Sequence, residues 1–167
     1  MQKQRVAITF RQFLMAPDCP SEWLQMDLYL FRDDEVVFYV GQSAVAYRRI
    51  WEHLTGGYKG RSMAGRFLLC NWPSSLRYTI ELVCSKDDEF FSFGGDLNAA
   101  ERGLIERYRP CFNEALNGNP TPLPIHYAPP NATILGPRSI NRLVRDALDL
   151  ARAKERREAA MDFYGGD

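Results

Sequence analysis

The 167-residue chain has no Cys-x-x-Cys pair and only two histidines, His53 and His126. Neither a zinc cluster nor a disulfide framework is therefore expected. Its four cysteines stand at 19, 70, 84 and 111, three of them among apolar or aromatic neighbours, and read as buried free thiols. No apolar run approaches the length a bilayer-spanning helix needs. The stretch Val6-Ala7-Ile8-Thr9-Phe10 is too short, and too soon followed by Arg11, for a secretory signal. The expectation is a soluble, cytoplasmic protein with no membrane partner. The chain also lacks net charge, with 21 basic and 21 acidic residues. That balance argues against tight non-specific binding to nucleic acid but leaves room for a local basic patch. There is no internal repeat. Gly56-Gly57 and Gly94-Gly95 read as loop glycines, not as a phosphate-cradling motif.

What is present fits one folded domain: 46% hydrophobic and 13% aromatic residues on a length that supports a real core. Residues 1–22 read as a leader in which Val6–Phe10 can form a strand. Leu28–Phe31 and Val36–Val40 are strand formers around the charged turn Arg32-Asp33-Asp34-Glu35, a β-hairpin. Ser43 is a plausible N-cap for a helix to about Leu54, ended by Gly56-Gly57. A second helix runs from Ser62 to about Asn71. Leu76–Val83 alternates and reads as a third strand. After a polar loop at 86–95, Asp96 or Asn98 starts a helix that ends near Pro110. Six prolines between 117 and 137 mark an extended connector. Residues 138–160 then form an amphipathic helix, its stripe of Ile140, Leu143, Val144, Ala147, Leu148 and Ala151 set among arginines. That stripe must be buried, against the domain or against a second subunit. The expected organisation is a leader (1–22), a central domain (23–116), a Pro-rich connector (117–137) and a basic C-terminal helix and tail (138–167).

A pattern of residues links the hairpin to the helix that follows it and to the later helix that ends near Pro110. Tyr29 and Tyr39 stand ten positions apart, Arg49 follows Tyr39 by ten, and His53 follows Arg49 by four. Arg49 and His53 thus share a helical face. Glu101 precedes Asn113 by twelve, in a segment that closes Tyr108-Arg109-Pro110-Cys111-Phe112-Asn113. From Asp27 to Asn113 this order and spacing resembles the GIY-YIG nuclease superfamily. Two departures stand out: the first motif is Leu28-Tyr29-Leu30, without the glycine, and Gln42 stands where several relatives carry lysine.

The resemblance implies a small α/β domain, a three-stranded mixed sheet flanked by helices, to which this chain adds the C-terminal amphipathic helix. It implies a metal-dependent endonuclease acting on phosphodiester bonds of DNA, of restriction or phage-defence type. Tyr29 would be the general base with Tyr39 positioning water or relaying a proton, or the two roles are exchanged. Arg49 would pair with the scissile phosphate, and its planar fork suits a phosphoryl oxygen. His53 would orient a tyrosine or bond a phosphate oxygen. Glu101 would hold Mg²⁺ or Mn²⁺, with water and phosphate completing the shell. Gln42 and Asn113 would brace the site. Arg48, Arg61, Arg66, Arg142 and Arg145 are candidate contacts to nucleic acid, and a homodimer or a larger complex is possible. Taken singly, each residue has an ordinary reading: sheet tyrosines, an Arg49–Glu52 ion pair, a histidine at a helix end, a helix-exit asparagine. The rival function is a catalytically impaired nucleic-acid-binding or assembly subunit.

Overall fold

The computed structural model describes residues 5–164. Four strands form one sheet: β1 (Arg5–Thr9), β2 (Leu28–Asp33), β3 (Val36–Gln42) and β4 (Thr79–Val83), in the order β1-β4-β2-β3. All the pairings are antiparallel. The expectation of a three-stranded mixed sheet is thus corrected. The fourth strand comes from the leader, where Arg5 lies opposite Val83 and Thr9 opposite Thr79. Local sequence marks Val6–Phe10 as a strand former but cannot announce a partner more than seventy residues away. Among the described residues no helix is long and apolar enough to cross a membrane.

Strand β2 is paired on both sides, so both of its faces are covered. Leu28 and Leu30 face one layer and Tyr29 and Phe31 the other, and all four are buried. On the first face lies α4 (Leu97–Tyr108), whose Ala100, Leu104 and Ile105 pack with Leu28, Leu30, Val40 and Val83. On the second face lie α1 (Phe10–Leu14), α2 (Ala46–Tyr58) and α3 (Met63–Cys70) around the larger core. The molecule is therefore three layers deep, with the sheet in the middle.

A β-bulge shapes β3. Phe31 opposes Tyr39 but Arg32 opposes Val37, which leaves Phe38 as the extra residue. A bulge bends the strand and re-aims its side chains. Phe38 enters the larger core, with its ring centroid 4.5 Å from Phe67 and 5.0 Å from Tyr127. Tyr39, its neighbour, packs on the same core and remains partly exposed. Strict alternation from sequence would have placed these two side chains on opposite faces.

The glycines of α2 also depart from expectation. The helix runs through Gly56 and Gly57 to Tyr58 and starts after Val45, which makes no side-chain cap. The two glycines are helix interior because α3 crosses there. A β-carbon on Gly57 would come within 2.7 Å of the Arg66 backbone nitrogen, and one on Gly65 would run into the His53 carbonyl. Close backbone approach, not a turn, accounts for Gly57 and Gly65. By contrast, α3 matches the sequence reading: Ser62 caps it by accepting from the Gly65 N–H at 3.0 Å, and Asn71 follows its end. Asp96 caps α4 in the same manner.

The Pro-rich connector is strapped to α3. Asn71 and Ala128 exchange two 2.9 Å hydrogen bonds. Arg66 donates to the carbonyls of Pro130 and Ala132, and the buried Tyr127 donates to Asp33 at 2.6 Å. Helix α5 (Ile140–Tyr164) then buries Leu143, Ala147 and Ala151. Leu143 and Ala147 join the larger core, with Ile140 and Val144 packed at its margin. The apolar stripe thus closes on its own chain, while the turns from Lys154 onward are exposed.

One substitution tests the helix crossing. Gly→Ala inside a helix ordinarily stabilises by about 0.5–1 kcal/mol. At Gly65 the sign reverses, because the added methyl meets backbone that cannot move without separating α2 from α3. Gly65→Ala should destabilise by about 1–3 kcal/mol in urea unfolding, and a stabilised variant would contradict the packing.

Candidate functional site

The register settles which face each tyrosine occupies. Tyr29 lies opposite Gly41, and Tyr39 is two residues from Gly41 on the same strand. Both rings therefore project from one face, diagonal neighbours across the β2–β3 pair. Their centroids are 6.1 Å apart. The ring of Tyr29 lies across Gly41, where any β-carbon would collide with it. Glycine at position 41 is thus what lets the tyrosine lie flat against the neighbouring strand.

Helix α2 lowers His53 onto this surface. The imidazole meets Tyr29, Phe31 and Tyr39 edge-on, with centroids 5.6, 6.0 and 5.2 Å away. Its Nε2 lies 2.6 Å from the Tyr29 hydroxyl oxygen and its Nδ1 lies 2.7 Å from Ser62 Oγ. Ser62 Oγ in turn accepts from Gly65 N–H. A hydrogen-bonded chain thus runs from the start of α3 through His53 to Tyr29. A neutral imidazole accepts on one nitrogen and donates on the other, so the chain can be polarised in either direction by exchanging tautomers.

Burial sets the charge states. His53 is only 6% exposed. Desolvation, and secondarily the Arg49 cation, push its pKa down to about 4, so it is neutral at physiological pH. Tyr29, at 1% exposure, is pushed well above the ordinary phenol range, first by burial and then by Tyr39, against the opposing pull of Arg49. Tyr39 is also raised, by burial and then by Glu101, with Arg49 again opposing. Both phenols are therefore protonated as the site stands.

Arg49 is exposed on α2, and its charge acts on both tyrosines and on His53. It also forms the ordinary ion pair considered above, donating to Glu52 Oε2 at 2.8 Å. The two readings coexist: Arg49 stands at the site and Glu52 occupies one of its donors.

Glu101 approaches from the other face. Because β3 is the sheet edge, α4 can present a side chain around it. Gln42, at the end of β3, donates from Nε2 to Glu101 Oε2 at 2.8 Å and to Asn98 Oδ1 at 2.5 Å. Burial raises the Glu101 carboxyl and the Gln42 hydrogen bond partly offsets that. Two oxygens thus converge on one donor. A carboxylate and an amide oxygen are hard ligands of the kind Mg²⁺ accepts while keeping most of its water. Among the described residues, no group of three or more His, Cys, Asp and Glu side chains is placed to hold a metal.

Asn113 closes the edge. Its amide donates to the Val40 carbonyl at 2.8 Å and accepts from the Val40 N–H at 2.9 Å. The Cys111 and Phe112 N–H groups donate to Val37 and Phe38. The turn that allows this is Arg109 in the left-handed region, φ 44°, followed by Pro110, which cannot extend the helix. Strand β3 is therefore clipped up to Val40 by 111–113, while Gln42 beyond the clip meets α4.

An open groove of about 720 Å³ starts at Tyr39, Arg49 and His53 and continues over the exposed side of α2 to Lys59, Arg61 and Trp51. Glu101 does not line it. Of the other cations singled out by sequence, Arg48 is exposed on α2 beside Arg49, and Arg142 and Arg145 are exposed on α5. Arg66 is turned toward the connector carbonyls instead. Sequence reading missed Ser62 as a partner of His53, Asn98 as a partner of Gln42, and Trp51 and Lys59 in the groove. Ser62 was visible only as the start of a helix, and its second role depends on the α2–α3 crossing. The chain matches no protein-family model, no curated protein and no solved structure.

The buried imidazole makes stability depend on pH. Because the folded pKa lies below the ordinary 6.5, the unfolded chain binds the proton first as pH falls. Stability is then full above about pH 6.5 and drains toward pH 4, by roughly 2–3 kcal/mol at pH 4.5. The raised Glu101 carboxyl has the opposite sign, so the comparison must be with His53→Gln, which keeps a polar partner but cannot titrate. Wild type should lose that much more stability than the variant between pH 7 and 4.5, and equal slopes in urea unfolding would contradict a neutral buried His53.

Proposed function

We propose that the chain is a divalent-metal-dependent endonuclease of the GIY-YIG type, hydrolysing phosphodiester bonds of DNA as restriction or phage-defence enzymes do. One observation carries the reading: Tyr29, Tyr39, Arg49 and His53 meet at one corner of the sheet, and the charge of Glu101 acts on both tyrosines there. Residues 29 to 101 reach that corner from two strands and two helices.

Roles follow from exposure. Tyr39 borders the groove and is partly exposed, so it is the tyrosine that meets water and substrate. Tyr29 lies behind it, closed from solvent, and transmits to His53. Arg49 binds the scissile phosphate, where its charge opposes the raised pKa of both phenols. Glu101 would hold the metal, with Asn98 Oδ1 the other oxygen that meets the Gln42 amide, and Gln42 would have to withdraw that donor from both. A bound Mg²⁺ supplies Lewis acidity at a phosphoryl oxygen. Asn113 fixes Val40, and with it the end of β3 that carries Gly41 and Gln42. Tyr39 takes the proton of the attacking water as a phenolate, its own proton having first passed to solvent in the groove it borders; the charge of Arg49 favours that form, and the Tyr29–His53–Ser62 chain holds the ring arrangement fixed.

A second reading has its own support. Gln42 offers Glu101 a donor rather than a cation, Glu52 occupies Arg49, and both phenols are held protonated. Those features suit a binding or assembly subunit that keeps the fold without turnover.

Labelled single- and double-stranded DNA, incubated with Mg²⁺ or with EDTA, separates the two. The nuclease cleaves only with Mg²⁺. Glu101→Ala abolishes cleavage without lowering the unfolding midpoint, and Arg49→Ala lowers turnover by roughly 10²–10³. Binding without cleavage under any metal supports the subunit reading, and full activity of Glu101→Ala removes the metal assignment.

A further inference from the structure

Trp51 has surroundings that the catalytic reading does not use. One side of its indole packs on Phe13, with centroids 5.0 Å apart. The ring is partly exposed and lines the groove, together with Met63 and the cations Arg49, Lys59 and Arg61. The other two tryptophans, Trp23 and Trp72, are buried at 9% and 6% exposure. The groove volume, about 720 Å³, lies in the range of sites that enclose a whole small ligand. An aromatic platform backed by rigid packing, with fixed cations along the same groove, matches a flexible anion that carries aromatic rings.

We infer that this groove binds an unpaired stretch of nucleic acid, with a base stacked on Trp51 and the phosphates on Lys59 and Arg61, leading the strand toward Arg49 and Tyr39. The inference rests on the nucleic-acid reading above and names the form of substrate: single-stranded or locally opened, not a closed duplex. Stacking needs a base face that neighbouring bases do not cover, and inside a closed duplex both faces of each base are covered. Three cations in one groove, against the single acid Glu52, give a local positive field that the neutral whole-chain charge conceals. The groove's course over the outside of α2, away from Glu101, makes it a strand path and not a second reaction centre.

Fluorescence titration of the full chain in EDTA tests this without cleavage. Because Trp23 and Trp72 are buried, quenching by a single-stranded hexanucleotide reports on Trp51. The expected result is quenching by the hexanucleotide and none by the corresponding blunt duplex. An abasic strand with the same number of phosphates should bind wild type about tenfold more weakly. Trp51→Phe should retain the preference for bases, and Trp51→Leu should bind natural and abasic strands equally. Trp51→Leu removes packing on Phe13, so its fold is checked by unfolding. Lys59→Ala, at an exposed position, gives an independent arm: it should reduce the magnitude of the salt slope of single-strand binding by about one unit. Equal affinity of wild type for natural and abasic strands, or an unchanged salt slope in Lys59→Ala, overturns the inference. Cleavage without stacking sinks this inference alone, and stacking without cleavage sinks the nuclease reading alone.

Discussion

The contact between the Tyr29 hydroxyl and His53 Nε2, 2.6 Å long, is the interaction on which the site's geometry depends. It joins the central strand to a helix through two side chains that are almost fully enclosed. Enclosure makes the contact demanding. A buried phenol or imidazole left without a partner costs about 1–3 kcal/mol, and charging either ring is opposed by desolvation. Each element around the contact is shaped to meet that demand. Gly41 lets Tyr29 lie across β3, Gly65 lets α3 approach the His53 carbonyl, and Ser62 satisfies the far nitrogen while capping α3. A helix cap and a site residue are thus the same atom.

The edge of the sheet supplies the second constraint. An edge strand exposes backbone groups that a protein must cover or use, and β3 does both. Up to Val40 the segment 111–113 covers it, and Asn113 pairs with both polar groups of Val40. Farther along, groups from the two faces come into electrostatic range of one another. Arg49 acts on the tyrosines from one side and Glu101 from the other. The bulge at Phe38 completes the arrangement, sending one ring into the core while its neighbour borders the groove.

Sequence carried the parts of this that depend on local chemistry. The charged hairpin turn, the helix starts at Ser62 and Asp96 and the proline that follows α4 are short-range signals, and each stands in the structure near its expected place. The resemblance gathered Tyr29, Tyr39, Arg49 and His53, which the fold brings together. What escaped depends on partners distant in the chain. The fourth strand needs β4 to pair with the leader. Gly56-Gly57 reads as a stop until α3 is known to cross there. The connector reads only as an extended segment because its prolines say nothing of Asn71 and Arg66, which hold it. The bulge breaks the alternation by which a strand's two faces are read from sequence.

The chain's two histidines permit a direct measurement of the central contact. His126 is exposed, so His53 is the one enclosed imidazole to be assigned. Both imidazoles can be followed by nitrogen-15 NMR across pH. His53 should remain neutral until pH approaches 4, with one ring nitrogen held protonated throughout. If His53 instead titrates near pH 6.5, with its two nitrogens averaging as in free imidazole, it is not locked between Tyr29 and Ser62 and the account of the site fails.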